Sequence, residues 1–188
     1  MTEFALGFAL AALAALTLAT GVFHAGGIPT LSAHLDAQGV VRRPLVRPLA
    51  IIVAATELGI AAMAALALTV DVGWAAGGLA SVAAVVLGSA FIGYIARAQA
   101  VSAFRPCGCS PFAVDIARRA ALVPSGGLVV LGLIGSMAAA SGASASWTTT
   151  WDEVGSAAIL PVLAGVVAGV LLLVAPSSVP SQEPAVVH

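Results

Sequence analysis

Lysine is absent from this chain, and charge of either sign is scarce: 8% of its 188 residues are charged, against about 25% in an average soluble domain. That shortage excludes an ordinary water-soluble surface. The net charge of −1 leaves no basic footprint, which excludes a nucleic-acid partner. Cysteine is nearly absent as well. Cys107 and Cys109 are the only two, too few and too close together for the disulfide framework of a small secreted domain. The extreme N-terminus carries Glu3 and none of the positive charge a signal peptide needs, so the first apolar run reads as a retained helix.

What the chain has in quantity is apolar residues, 61% of the total, with a mean hydropathy of +1.11. Its partner is therefore the lipid bilayer, whose hydrocarbon core of about 30 Å needs about 20 apolar residues per helix. Five runs reach that length: 4–22, 48–70, 74–96, 120–140 and 157–175. The expected fold is all-α, a polytopic membrane helical bundle of about five transmembrane helices. It divides into a four-helix domain over 1–140, an outer loop and fifth transmembrane helix over 141–176, and a disordered, proline-rich tail over 177–188. Gly73 and Gly77, and Gly165 and Gly169, have the spacing of small residues at helix contacts. In so glycine-rich a chain this reads as loose internal packing.

The connection 24–47 is too polar to span. Ile28-Pro29 opens a short interfacial helix that Gly39 stops, with Leu31 and Leu35 on one face and His34, Asp36 and Gln38 toward water. Pro44 and Pro48 mark the start of the second span, where the first helical N–H groups lack partners anyway.

All seven basic residues are arginine: Arg42, Arg43, Arg47, Arg97, Arg105, Arg118 and Arg119. Each lies in, or at the edge of, the first or third connection. With five spans those two connections share a side, and the positive-inside rule makes that side cytoplasmic in an inner (plasma) membrane. Trp74, Trp147 and Trp151 then form an outer aromatic belt, with Tyr94 near the inner one.

The chemistry-bearing stretch is Phe104-Arg105-Pro106-Cys107-Gly108-Cys109-Ser110-Pro111 in the third connection. Two thiols one residue apart can close a small strained disulfide, and strained disulfides are the labile, oxidising kind. Ser110 is placed to cap a helix that Pro111 begins, and a helix N-terminus favours a thiolate, as does Arg105. Redox chemistry, soft-metal binding and inert packing at the membrane edge all remain open for this pair. Two thiolates suit Cu(I) or Zn, but a closed zinc site wants four ligands. Neither His24 nor His34 is placed beside the cysteines by its spacing, so no metal site is assigned.

Glu57 lies about 13 Å inside the second span. A carboxylate at that depth is turned inward with a partner or held protonated. It reads either as a proton carrier or hydrogen-bond donor to a quinone or thiol, or as a structural bond between helices. A quinone is the one cofactor these residues suggest; none is otherwise evident. His24 ends the first span and reads as an interfacial side chain. Arg97 reads as snorkelling to phosphates, with a bond to Asp115 or Glu57 as the lesser reading.

These features occur in an order that resembles a known family. A first span runs into Thr20-Gly21-Val22-Phe23-His24-Ala25-Gly26-Gly27. The second span carries Thr56-Glu57-Leu58-Gly59-Ile60, and the third leads into Pro106-Cys107-Gly108-Cys109, a basic stretch and a fourth span. The pattern, over about 4–140, is similar to the MauE family of methylamine-utilisation membrane proteins, themselves DoxX-like. The resemblance implies a small membrane bundle tied to thiol–disulfide handling, working beside a thioredoxin-like redox partner and supporting production of methylamine dehydrogenase. Cys107, Cys109 and Glu57 match the family's pattern as the functional residues. The chain departs from it at Ser110-Pro111, where Phe-Gly is usual, and at His24, where lysine is common. Two alternatives from other classes stand beside this reading: a non-catalytic assembly or scaffold subunit, and a Cu- or Zn-handling protein.

Overall fold

A computed structural model describes residues 2–70, 73–101 and 122–142, together with 164, 165 and 167. The elements are α1 (Thr2–Gly26), α2 (Ile28–Gln38), α3 (Arg43–Thr69), α4 (Gly73–Val101) and α5 (Leu122–Ala140). No strand occurs among the described residues. Four of the helices, α1, α3, α4 and α5, are long and apolar enough to cross a membrane. The all-α polytopic bundle expected from composition is what the chain forms. Of the expected fifth span, only Ala164, Gly165 and Val167 are described, all helical. The rest of it lies outside the described residues, as do the cysteine-bearing connection, Trp147, Trp151 and the tail.

The four long helices form a ring in the order α1, α3, α4, α5, with α5 returning to α1. α1 is the most enclosed, with 61% of its apolar window buried. Two apolar layers fill the interior. Leu6, Leu10, Ala64, Leu68, Ala80 and Ala138 pack at the end where α3 turns into α4. Leu13, Leu16, Ile60, Ala84, Leu87, Leu128 and Leu131 pack in the middle. Several buried hydroxyls are satisfied within their own helix: Thr17 donates to the Leu13 carbonyl at 2.7 Å, and Ser81 to that of Gly77 at 2.8 Å. No water is available inside a bilayer to do this instead.

Glycine marks close contact here, not the loose packing expected from its abundance. A Cβ added at Gly132 would lie 2.6 Å from the Ser81 carbonyl oxygen and 3.0 Å from the Val85 amide, both backbone atoms of α4. One added at Gly88 would lie 2.8 Å from the Ser125 carbonyl oxygen of α5. A side chain at Gly165 would collide with the α1 backbone at Phe8. Helices in lipid gain little from excluding water, so backbone-to-backbone approach through small residues holds them together.

α3 begins about a turn earlier than the apolar run. Arg42 is its N-cap, Pro44 sits in the first turn, and Pro48 falls inside the helix. α2 ends as expected, at Gly39 with a left-handed φ of 66°. Its inward face is wider than expected: Leu31 and Gln38 are buried and His34 is half-buried, so only Asp36 of the three polar residues faces out. Residues 31, 34, 35 and 38 share one helical face, and that face closes an apolar cavity of about 300 Å³ against α3 and α4. Asp36 meets Arg43 at 3.3 Å on the surface.

The α4–α5 contact makes a measurable forecast. Gly132→Ala should destabilise the bundle by about 1–3 kcal/mol, because the atoms it meets are backbone and cannot swing aside. Gly126→Ala, which meets nothing within 4 Å, should instead be neutral or stabilise by up to about 1 kcal/mol through helix propensity. Equilibrium unfolding in mixed micelles reads both.

Candidate functional site

Polarity enters the bundle on α1. Thr17, Thr20, Gly21 and His24 recur at the spacing of one helical face, and all four are buried in an otherwise apolar helix. The facing stripe of α3 is Val46, Ala50, Ala54, Glu57, Ala61 and Ala64, also buried. Alanine on one side and glycine on the other bring the backbones together. A Cβ at Gly21 would stand 3.0 Å from Leu58 and 3.1 Å from the Glu57 Cβ. One turn beyond that approach, His24 Nδ1 meets Glu57 Oε2 at 2.6 Å.

Both partners are 2% exposed. The carboxyl that needed an inward partner therefore has one, and it is a histidine from the first span. His24 is not the interfacial side chain that its position near the helix end suggested. The approach at Gly21 draws it into the bundle, and the last turn of a helix favours whatever positive charge it carries. Arg97 is exposed, and Glu57 bonds to His24 instead of to Arg97.

On its other side Glu57 borders a cavity of about 30 Å³, room for a water molecule. The walls include Thr20 of α1, Tyr94 and Ile95 near the end of α4, and Pro124 and Ser125 at the start of α5. This cavity runs from the mid-span carboxyl toward the end of the bundle where α4 and α5 are joined through 102–121. His24 borders a different space, a groove of about 460 Å³ at the α1–α2 junction. The pair thus stands between an interior cavity bordered by Glu57 and an outward groove bordered by His24.

Cys107, Cys109 and the Ser110-Pro111 cap lie outside the described residues, as do Arg105, Arg118, Arg119 and Asp115. Among the described residues no three metal-binding side chains cluster. His34 lines the α2–α3–α4 cavity, whereas His24 lines the α1–α2 groove. Of the residues singled out in the sequence, Glu57 is in the site. His24 joins it in a role its position did not suggest, and Thr20, Tyr94 and Ser125 border its cavity. The signal that would have found His24 is the Thr17-Thr20-Gly21-His24 stripe, which aims the one basic side chain of the first span at the one acid of the second.

The sequence profile of the family described as methylamine utilisation protein MauE matches residues 2–138. The chain belongs to the MauE family. The match runs from the start of α1 to within two residues of the end of α5, so it takes in His24, Glu57 and both cysteines. Neither a curated protein nor a solved structure matches the chain. With four long apolar helices inside the matched region, this MauE-family chain is a multi-pass membrane protein.

Removing one partner leaves the other buried without its hydrogen bond. Glu57→Leu should cost about 1–3 kcal/mol of stability, since the His24 nitrogen loses its bond inside the bundle. The double variant His24→Phe/Glu57→Leu should cost less than the two single changes added together, with a coupling of about 1–2 kcal/mol. A double-mutant cycle on unfolding in micelles measures it, and additive costs would mean that the two side chains do not interact.

Proposed function

We propose that this MauE-family protein is a thiol–disulfide redox protein of the inner membrane, with Cys107 and Cys109 as its dithiol at the cytoplasmic edge. The observation that supports the reading is the buried His24–Glu57 pair and its cavity, whose walls include Tyr94 of α4 and Pro124 of α5, the two helices that precede and follow the cysteine-bearing connection in the sequence. Cys107 follows the end of α4 at Val101 by six residues, so chain length alone keeps its thiol within about 20 Å of that helix end. A half-reaction that oxidises the dithiol releases two protons with two electrons, whereas exchange with a partner disulfide hands both protons to the partner's thiols. The redox partner in this reading is thioredoxin-like. The exchange balances: the protein's two thiols become a disulfide as the partner's disulfide becomes two thiols, or the reverse.

The orientation rests on arginine. Arg42, Arg43, Arg47 and Arg97 are exposed and belong to the end of the bundle that holds α2 and the end of α4. Arg105, Arg118 and Arg119 fall in the connection at that same end. Concentration of positive charge on one side marks it as cytoplasmic. Relaying reducing equivalents from the cytoplasm to an exported, disulfide-containing client reconciles this side with methylamine-dehydrogenase maturation.

The test is a thiol titration in membranes. Poised in dithiol buffers across a range of potentials, the protein should pass between a form that takes two alkyl groups and one that takes none. Cys107→Ser or Cys109→Ser should abolish the internal disulfide and trap a mixed disulfide with the partner. A membrane-impermeant thiol reagent should label the cysteines in opened vesicles and leave them untouched in intact cells. Thiols that stay reduced under mild oxidant would replace the redox reading with that of an assembly or scaffold subunit.

A further inference from the structure

The cavity between α2, α3 and α4 has no part in the thiol reading. Its volume is about 300 Å³, and its walls present almost only apolar surface. Leu49, Ile52 and Thr56 line it from α3, and Leu87, Ala90 and Tyr94 from α4. Ile52 is 59% exposed, and Ala90 is exposed as well, so the cavity opens outward between two membrane-spanning helices. In a bilayer that opening faces lipid.

Depth decides what kind of apolar molecule fits. Leu87 lies in the middle of the span Ala75–Ala98. Arg97 stands ten residues further on, about 15 Å along the helix axis. Half of a hydrocarbon core of about 30 Å is also about 15 Å. The α4 wall therefore runs from the mid-plane of the bilayer to the level of the head groups, which is the depth of one lipid acyl chain.

Charge marks the outer end of the same cleft. Ala90, Tyr94 and Arg97 recur at the spacing of one helical face, and so do Arg42, Leu49 and Thr56, seven residues apart. Both arginines are exposed. Neither pairs with an acid among the described residues, where Asp36 meets Arg43 instead, at 3.3 Å. A guanidinium group is suited to phosphate, and basic sites between membrane helices take the head groups of anionic lipids. A free phosphate would make no use of the apolar walls, and a zwitterionic lipid offers the arginines no net charge.

We propose that the α2–α3–α4 cleft binds an acyl chain of an anionic phospholipid whose phosphate is held by Arg42 and Arg97. This goes beyond the thiol reading and does not depend on it, since neither cysteine enters the argument.

The test uses the full chain in detergent micelles, with phosphatidylglycerol carrying a photoreactive diazirine in its acyl chain. Illumination should attach the lipid to peptides covering 49–56 and 87–94. Unlabelled phosphatidylglycerol should compete better than phosphatidylcholine of the same chains, by about fivefold for each arginine engaged. Arg42→Gln/Arg97→Gln should remove that preference. Ala90→Leu and Ile52→Phe each enlarge an exposed side chain at the opening, one from either helix. Each of them that keeps the native unfolding transition should cut the labelling of both peptides. The Cys107→Ser/Cys109→Ser chain should label like the native one, which separates this result from failure of the thiol reading. The proposal is overturned if phosphatidylcholine competes equally, which would mean surrounding lipid only, or if glycerol phosphate alone competes, which would mean a free-phosphate site. Labelling unchanged in a folded cleft-filling variant, or a preference that survives loss of both arginines, would overturn it too.

Discussion

A carboxyl group in the middle of a membrane helix must be answered from another helix, and the arrangement of this bundle follows from how Glu57 is answered. The reply comes from His24, whose backbone reaches α3 only because Gly21 has no side chain where it faces Glu57 and Leu58. The α3 face is alanine above and below Glu57 for the same reason. Small residues thus serve two ends at once. They supply the close packing that holds helices together in lipid, and they bring two ionisable groups to 2.6 Å. A bulky residue at position 21 would separate α1 from α3 and leave both polar side chains stranded.

The rest of the bundle separates by function along its length. Toward the α3–α4 turn the interior is mostly apolar, built from Leu6, Leu10, Leu68 and alanines, with the Ser81 hydroxyl bonded within its own helix. Toward the opposite end it becomes polar in steps: hydroxyls that bond their own helix, then the His24–Glu57 pair, then the cavity bordered by Tyr94 and Ser125. The described arginines, the short α2 and the helix ends flanking Cys107 and Cys109 all belong to that polar end. The MauE-family match covers this whole arrangement, because it spans residues 2–138.

Much of this was legible in the sequence. Apolar run length gave four of the helices, since crossing a bilayer imposes a length that few other constraints imitate. Glu57 stood out for its cost, and Gly39 for its turn. What escaped was anything decided by a contact between helices. His24 looked interfacial because depth was judged along its own helix, whereas the neighbouring helix fixes its environment. Gln38 and His34 looked solvated because α2 was read by polarity alone, without the cavity that its face covers. Glycine was underestimated in the same way: Gly88, Gly132 and Gly135 gain their meaning only from the α4 or α5 atoms opposite them. The thiol pair was legible as chemistry in the sequence and lies outside the described residues.

The central claim is that His24 and Glu57 share a hydrogen bond inside the bundle, and a distance measured in a bilayer tests it most directly. With 13C placed in the glutamate side-chain carboxyls and 15N in the histidine rings, dipolar recoupling by solid-state NMR reports any nitrogen–carbon pair in contact. The structure predicts one strong coupling, consistent with the 2.6 Å Nδ1–Oε2 separation, that disappears in both His24→Phe and Glu57→Leu. No coupling in the native protein, or one that persists in either variant, would contradict the account.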